Sequence, residues 1–117
     1  MAVLKLWESG SANGNPSYEG ILAVEAEEGV TIGRPTIDPE YSHVVSIPGC
    51  GPNAGILGVS REHARISWNP ENGFMIEPHR GKVRLDALEN VIQEPSILET
   101  GSLIYFGPIS VWAEIID

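Results

Sequence analysis

His63-Ala64-Arg65-Ile66-Ser67-Trp68 alternates between apolar and polar residues, and Asn69-Pro70-Glu71-Asn72-Gly73 separates it from a second short run, Phe74-Met75-Ile76-Glu77. Successive side chains of an extended chain point to opposite faces. Ala64, Ile66 and Trp68 therefore share one face, while Arg65 and Ser67 take the other. A cluster of Asn, Pro and Gly between two such runs is the pattern of a β-hairpin with a longer loop.

The same period recurs outward from this hairpin. In Ala2–Trp7 the side chains of Ala2, Leu4 and Leu6 face one way and that of Val3 the other. Ile21–Glu25, Val30–Gly33, His43–Ile47, Lys82–Leu85, Leu103–Phe106 and Val111–Ile116 are further strand candidates. Turn-forming clusters stand between them, at Asn13-Gly14-Asn15-Pro16, Pro48-Gly49 and Gly51-Pro52-Asn53. Asp86–Gln93 has room for one helical turn, and no other stretch keeps a helical period without breakers. The expectation is an all-β sandwich of about nine to eleven short, mostly antiparallel strands.

With 117 residues, the chain is expected to form one domain spanning 1–117. Its apolar fraction of 42% allows a true core. No apolar run approaches the roughly 18–20 residues that a membrane helix needs, and the N-terminus alternates where a signal peptide would be continuously apolar. Cys50 is the single cysteine, and the three histidines His43, His63 and His79 are scattered without zinc spacing. Neither a metal nor an organic cofactor is implied. The lone thiol suits a reducing cytoplasm.

A formal charge of −9 opposes general binding to nucleic acid, whose affinity comes mainly from neutralising phosphates. The distribution of the few cations is more informative. Lys5 stands alone, Arg34, Arg61, Arg65, Arg80, Lys82 and Arg84 occupy the middle of the chain, and no Lys or Arg follows Asp86. Such gathering fits one local anion site. Taken without any motif, it fits better a set of solvated charges balanced by acids such as Glu71, Glu77 and Asp86. The segment between Arg34 and Ser60 holds at most one short strand, and its Pro48–Gly58 part is rich in Gly and Pro. Loops of that length generally have a function. Ile56 and Leu57 near its end are expected either in the core or offered to a partner.

Three ordered motifs stand within this β pattern. They are Thr31-Ile32-Gly33-Arg34, then Val59-Ser60-Arg61-Glu62-His63-Ala64-Arg65-Ile66, then Leu98-Glu99-Thr100-Gly101-Ser102-Leu103-Ile104-Tyr105-Phe106-Gly107. Together they resemble the forkhead-associated (FHA) domain over about residues 20–116, with Ser102 where that family usually has Asp. The resemblance implies an eleven-stranded sandwich whose loops at one end bind phosphothreonine peptides, a non-enzymatic interaction module. It casts Arg34 and Ser60 as phosphate ligands and Arg61 as a further contact, with Gly33, His63 and Gly81 as structural supports. A phosphate carries about −1.5 to −2 charges and three acceptor oxygens. The planar donor fork of Arg34 suits it, and Ser60 offers a hydroxyl and a backbone N–H. No orienting acid or nucleophile elbow accompanies Ser60 and His63, which argues against hydrolysis.

The resemblance breaks after Phe74–Glu77. Where the family has an Asn-Gly loop with a Ser or Thr hydroxyl, this chain has Glu77-Pro78-His79-Arg80-Gly81-Lys82-Val83-Arg84. If Gly81 stands for the motif glycine, Arg80 occupies the asparagine position. Two readings follow. In one, His79, Arg80 and Lys82 supply charge in place of amide and hydroxyl, and the partner is a phosphorylated protein or peptide. In the other, the domain has become a phosphate-independent scaffold or homodimerisation module.

Overall fold

The computed structural model describes residues 2–8, 21–51 and 58–117. Among the described residues ten strands are formed: β1 (Val3–Glu8), β2 (Ile21–Glu25), β3 (Val30–Gly33), β4 (Val44–Ser46), β5 (Ala64–Asn69), β6 (Gly73–Pro78), β7 (Arg84–Leu85), β8 (Ser96–Ile97), β9 (Leu103–Phe106) and β10 (Ile109–Ile116). They make two five-stranded sheets, ordered β2-β1-β10-β9-β7 and β4-β3-β5-β6-β8. The pairing is antiparallel except for β3 beside β4, so the expected all-β sandwich is observed. Ile56 and Leu57 lie outside the described residues.

Alternation builds the core as the sequence suggests. Leu4 and Leu6 of β1, Ile104 and Phe106 of β9, and Val111 and Ala113 of β10 are buried from the first sheet. Ile32 of β3, Ala64 and Ile66 of β5, and Phe74 and Ile76 of β6 meet them from the second. The intervening residues are more exposed, as expected where one face of each sheet meets the core. On the outer face of the first sheet, Trp7 lies opposite Trp112 and their rings stack at 5.7 Å. Such cross-strand aromatic pairs reinforce register.

The β5–β6 hairpin closes through its own side chain. Asn69 Oδ1 accepts the backbone N–H groups of Glu71 (3.1 Å) and Asn72 (2.6 Å), and Gly73 takes the left-handed φ of 75° that completes the turn. Asp86–Gln93 forms no helix. The segment instead folds back on β7, with Val91 bridging Arg84 and the Ile92 N–H bonded to the Val83 carbonyl at 3.0 Å. The expected strand Lys82–Leu85 is shortened to Arg84–Leu85 because the carbonyls of Lys82 and Val83 are engaged elsewhere. Ser102, at the position of the family's Asp, uses its hydroxyl to accept the Glu99 N–H at 2.9 Å and holds the turn into β9.

Ile66 is fully buried between its register partners Val30 and Ile76. Truncation to Ala removes packing that no neighbour can easily replace. The expected loss is about 2–5 kcal/mol, read as a lower urea midpoint with unchanged slope in tryptophan fluorescence.

Candidate functional site

Three segments converge at one end of the sandwich: the end of β3 (Gly33, then Arg34), the loop Val59–His63 leading into β5, and the loop from Pro78 to Arg84 that follows β6. Their closeness depends on glycine. A Cβ on Gly33 would collide with the Arg61 carbonyl, and one on Gly81 would enter the His63 ring. Both positions therefore require a residue without a side chain.

His63 holds the loops together. It is completely buried, edge-on to Phe106 with centroids 5.4 Å apart. Its Nδ1 accepts the backbone N–H of Ser60 at 3.0 Å, and its Nε2 lies 2.7 Å from the Lys82 carbonyl. A nitrogen that accepts cannot carry the proton of the neutral ring, so Nε2 carries it and donates to Lys82. The His63 backbone adds N–H to Ile32 O (2.9 Å) and accepts from His79 N (3.0 Å) and Gly81 N (3.3 Å). Burial lowers the pKa of the imidazole, opposed more weakly by the Lys82 carbonyl.

Arg34 is anchored twice, through its backbone N–H to the Ser60 carbonyl (3.1 Å) and through Nε to the Val59 carbonyl (3.1 Å). Among the described residues, its two Nη groups make no hydrogen bond or ion pair. The Ser60 hydroxyl donates to the Arg80 carbonyl at 3.0 Å. The expectation that the Ser60 N–H is also open to a ligand is corrected, because His63 Nδ1 takes it. The same geometry keeps the imidazole away from the hydroxyl, so Ser60 and His63 do not form a nucleophile–base pair.

The other site residues fall into place around this pair. The Arg61 guanidinium lies over the Tyr41 ring at 5.2 Å, and its Nε is buried without a partner among the described residues. His79 Nε2 approaches Glu62 Oε2 at 3.5 Å, and His43 Nε2 approaches the same oxygen at 3.7 Å. The side chains of Arg80 and Lys82 are exposed, while their carbonyls secure Ser60 and His63. Arg65 reaches across to Thr31, and Arg84 belongs to the other sheet. The mid-chain cations are thus divided, with Arg34, Arg61, Arg80 and Lys82 at the loop end.

Burial raises the pKa of the Cys50 thiol, with Arg34 acting in the opposite sense. No group of three or more His, Cys, Asp or Glu able to hold a metal is present among the described residues. Glu62, His43 and Tyr41 were not among the residues that sequence singled out, since nothing in their spacing foretells these partners.

No protein-family model matches the chain, and no curated protein sequence matches it. Its structure is similar to the FHA domain of an Arabidopsis thaliana hypothetical protein, at 16% identity and a TM-score of 0.69, covering 100% of this chain and 88% of that one. The FHA domain of CT664 protein from Chlamydia trachomatis matches at 17% identity and a TM-score of 0.63, over 98% of this chain and 97% of that one. An FHA domain described for phosphothreonine-dependent interactions matches at 14% identity and a TM-score of 0.64, over 98% of both chains. The chain has the fold of a forkhead-associated domain.

Two outcomes test this architecture. Gly33→Ala must force β3 away from the Arg61 backbone, and is expected to cost about 1–3 kcal/mol or more in urea denaturation. For His63, an unfolded imidazole titrates near 6.5 and the folded one lower. Below about pH 6.5 the unfolded chain therefore takes up a proton that the folded chain refuses. This stabilisation is fully present above that pH and declines as pH falls toward the folded value. Thermal melts across pH should show that decline, and His63→Gln should lack its share of it.

Proposed function

We propose that this domain is an interaction module that binds a phosphothreonine-bearing protein or peptide, with Arg34 and Ser60 as the phosphate ligands. The observation that carries the reading is the fixed guanidinium of Arg34, tied at Nε to Val59 with its Nη groups unengaged by the described residues. A planar fork already held in place loses little freedom on binding. The Ser60 hydroxyl turns from the Arg80 carbonyl to the phosphate, and Arg61 adds charge from its seat on Tyr41. Arg80 and Lys82 extend the positive rim, and His79 contributes from beside Glu62.

Charge-assisted bonds of this kind contribute roughly 1.5–3 kcal/mol each. Two or three would supply much of the ~8 kcal/mol of micromolar binding. The neighbour described for phosphothreonine-dependent interactions supports the same reading by likeness of fold. Binding rather than catalysis is favoured because the Ser60 hydroxyl meets a carbonyl and the His63 nitrogens meet backbone. The chain acts as one domain. A kinase-written ligand and the free thiol of Cys50 favour the cytoplasm, and no helix among the described residues is long and apolar enough to cross a membrane.

The test is an NMR titration with a degenerate phosphothreonine peptide pool and its unphosphorylated twin. Shifts at Arg34, Ser60 and the Arg80 loop should appear with phosphate alone and weaken at higher ionic strength. Arg34→Ala should remain folded and bind at least about 10-fold more weakly. No response from the folded wild type would defeat the reading and favour a phosphate-independent scaffold, whose self-association sedimentation would then reveal.

A further inference from the structure

β5 and β6 run from the loops around His63 to the Asn69–Gly73 turn, at the other end of the sandwich. At that far end residues of both sheets line an open cleft of about 640 Å³. Trp68 of β5, Phe74 of β6 and Ile97 of β8 come from one sheet, and Ile115 of β10 from the other. Phe74 and its neighbours Ala26 and Leu98 also belong to the core, so the floor of the cleft is continuous with it. The size lies within the range of ligand-binding clefts, which combine apolar walls with a few polar groups.

Backbone bonds fix the walls before anything binds. The Ala26 N–H reaches the Ala2 carbonyl at 2.9 Å, and the Leu98 N–H reaches the Phe74 carbonyl at 2.8 Å. Thr100 Oγ1 accepts the Ile115 N–H at 3.0 Å, which ties the turn before β9 to β10. A cleft shaped in advance loses little freedom on binding.

The charges around it are of one sign. Glu27, Glu99 and Asp117 line the cleft and are exposed, whereas no Lys or Arg lines it. Among the described residues none of these three acids makes an ion pair. Arg65 alternates away from Ala64 and Ile66, and its guanidinium lies beside Gly29 and Thr31 on the outer face of its sheet. An apolar floor below carboxylates is complementary to a large apolar side chain with a cation beside it, and repels acidic or phosphorylated segments.

We infer that this cleft is a second protein-binding site, which takes from a partner polypeptide an extended segment carrying a Leu or Phe next to a Lys or Arg. It requires neither Arg34 nor a phosphate. Lying at the end away from the Arg34 loops, it can be filled while those loops hold another ligand.

The test is an NMR titration of the labelled domain with unphosphorylated Gly/Ser peptides that carry one Leu-Arg or Phe-Arg pair. Shifts should appear at Ala26, Phe74, Leu98 and the Trp68 indole. Ser in place of Leu or Phe should weaken binding about 10-fold, and Glu in place of Arg about 5-fold at low ionic strength. The Glu27→Lys, Glu99→Lys double variant changes only exposed side chains, so it should keep its melting temperature and bind the Glu peptides better than the Arg ones. Arg34→Ala should bind these peptides as the wild type does. Absence of shifts around the cleft in the folded wild type would overturn the site, as would indifference to the Arg and Glu exchange or an unchanged order in the double variant. Shifts at the same residues on concentrating the domain without peptide would assign the cleft to a second copy and overturn the partner reading. Failure of the phosphothreonine titration would leave this site standing, since its peptides carry no phosphate.

Discussion

The buried imidazole of His63 joins two loops that are distant in sequence, and the shape of the loop end depends on it. One ring nitrogen receives the N–H of Ser60 and the other reaches the carbonyl of Lys82. A fully buried polar ring without partners would be costly. With both nitrogens satisfied it becomes a rigid spacer, and Phe106 packs perpendicular to it from the opposite sheet. Charging the ring would put a proton on Nδ1 and break the bond to Ser60, so the neutral form and the loop geometry support one another. Gly81 completes the arrangement by leaving the ring room.

Arg34 and Ser60 inherit their positions from that spacer. Their backbones are bonded to each other at 3.1 Å, and the Arg80 loop meets Ser60 through a carbonyl. The proposed anion site, on a protein of net charge −9, would have to work locally. At physiological ionic strength charges are screened over about 8 Å, so the nearby guanidinium groups govern a bound phosphate more than the distant carboxylates do. The remaining acids would still act on encounter, where a net negative surface slows the approach of any acidic partner.

The loop from Pro78 to Arg84 presents backbone inward and charge outward. Arg80 offers its carbonyl to Ser60 and its side chain to solvent.

Much of the fold was legible in the chain. The alternation of Ala64, Ile66 and Trp68, the Asn69–Gly73 turn and the bounds of β2 and β3 all follow from local rules, because a strand's two faces and a turn's special dihedrals leave marks at short range. The ordered motifs also singled out Gly33, Arg34, Ser60 and His63, which the fold brings together. Tertiary structure alone decided that the Ser60 N–H and the Lys82 carbonyl are already engaged by the His63 ring, and that two histidines converge on Glu62. It also shortened β7 and turned Asp86–Gln93 away from helix. Periodicity records which face a residue takes, whereas the partner of a polar atom depends on distant segments meeting across the sandwich, and no local pattern encodes that meeting.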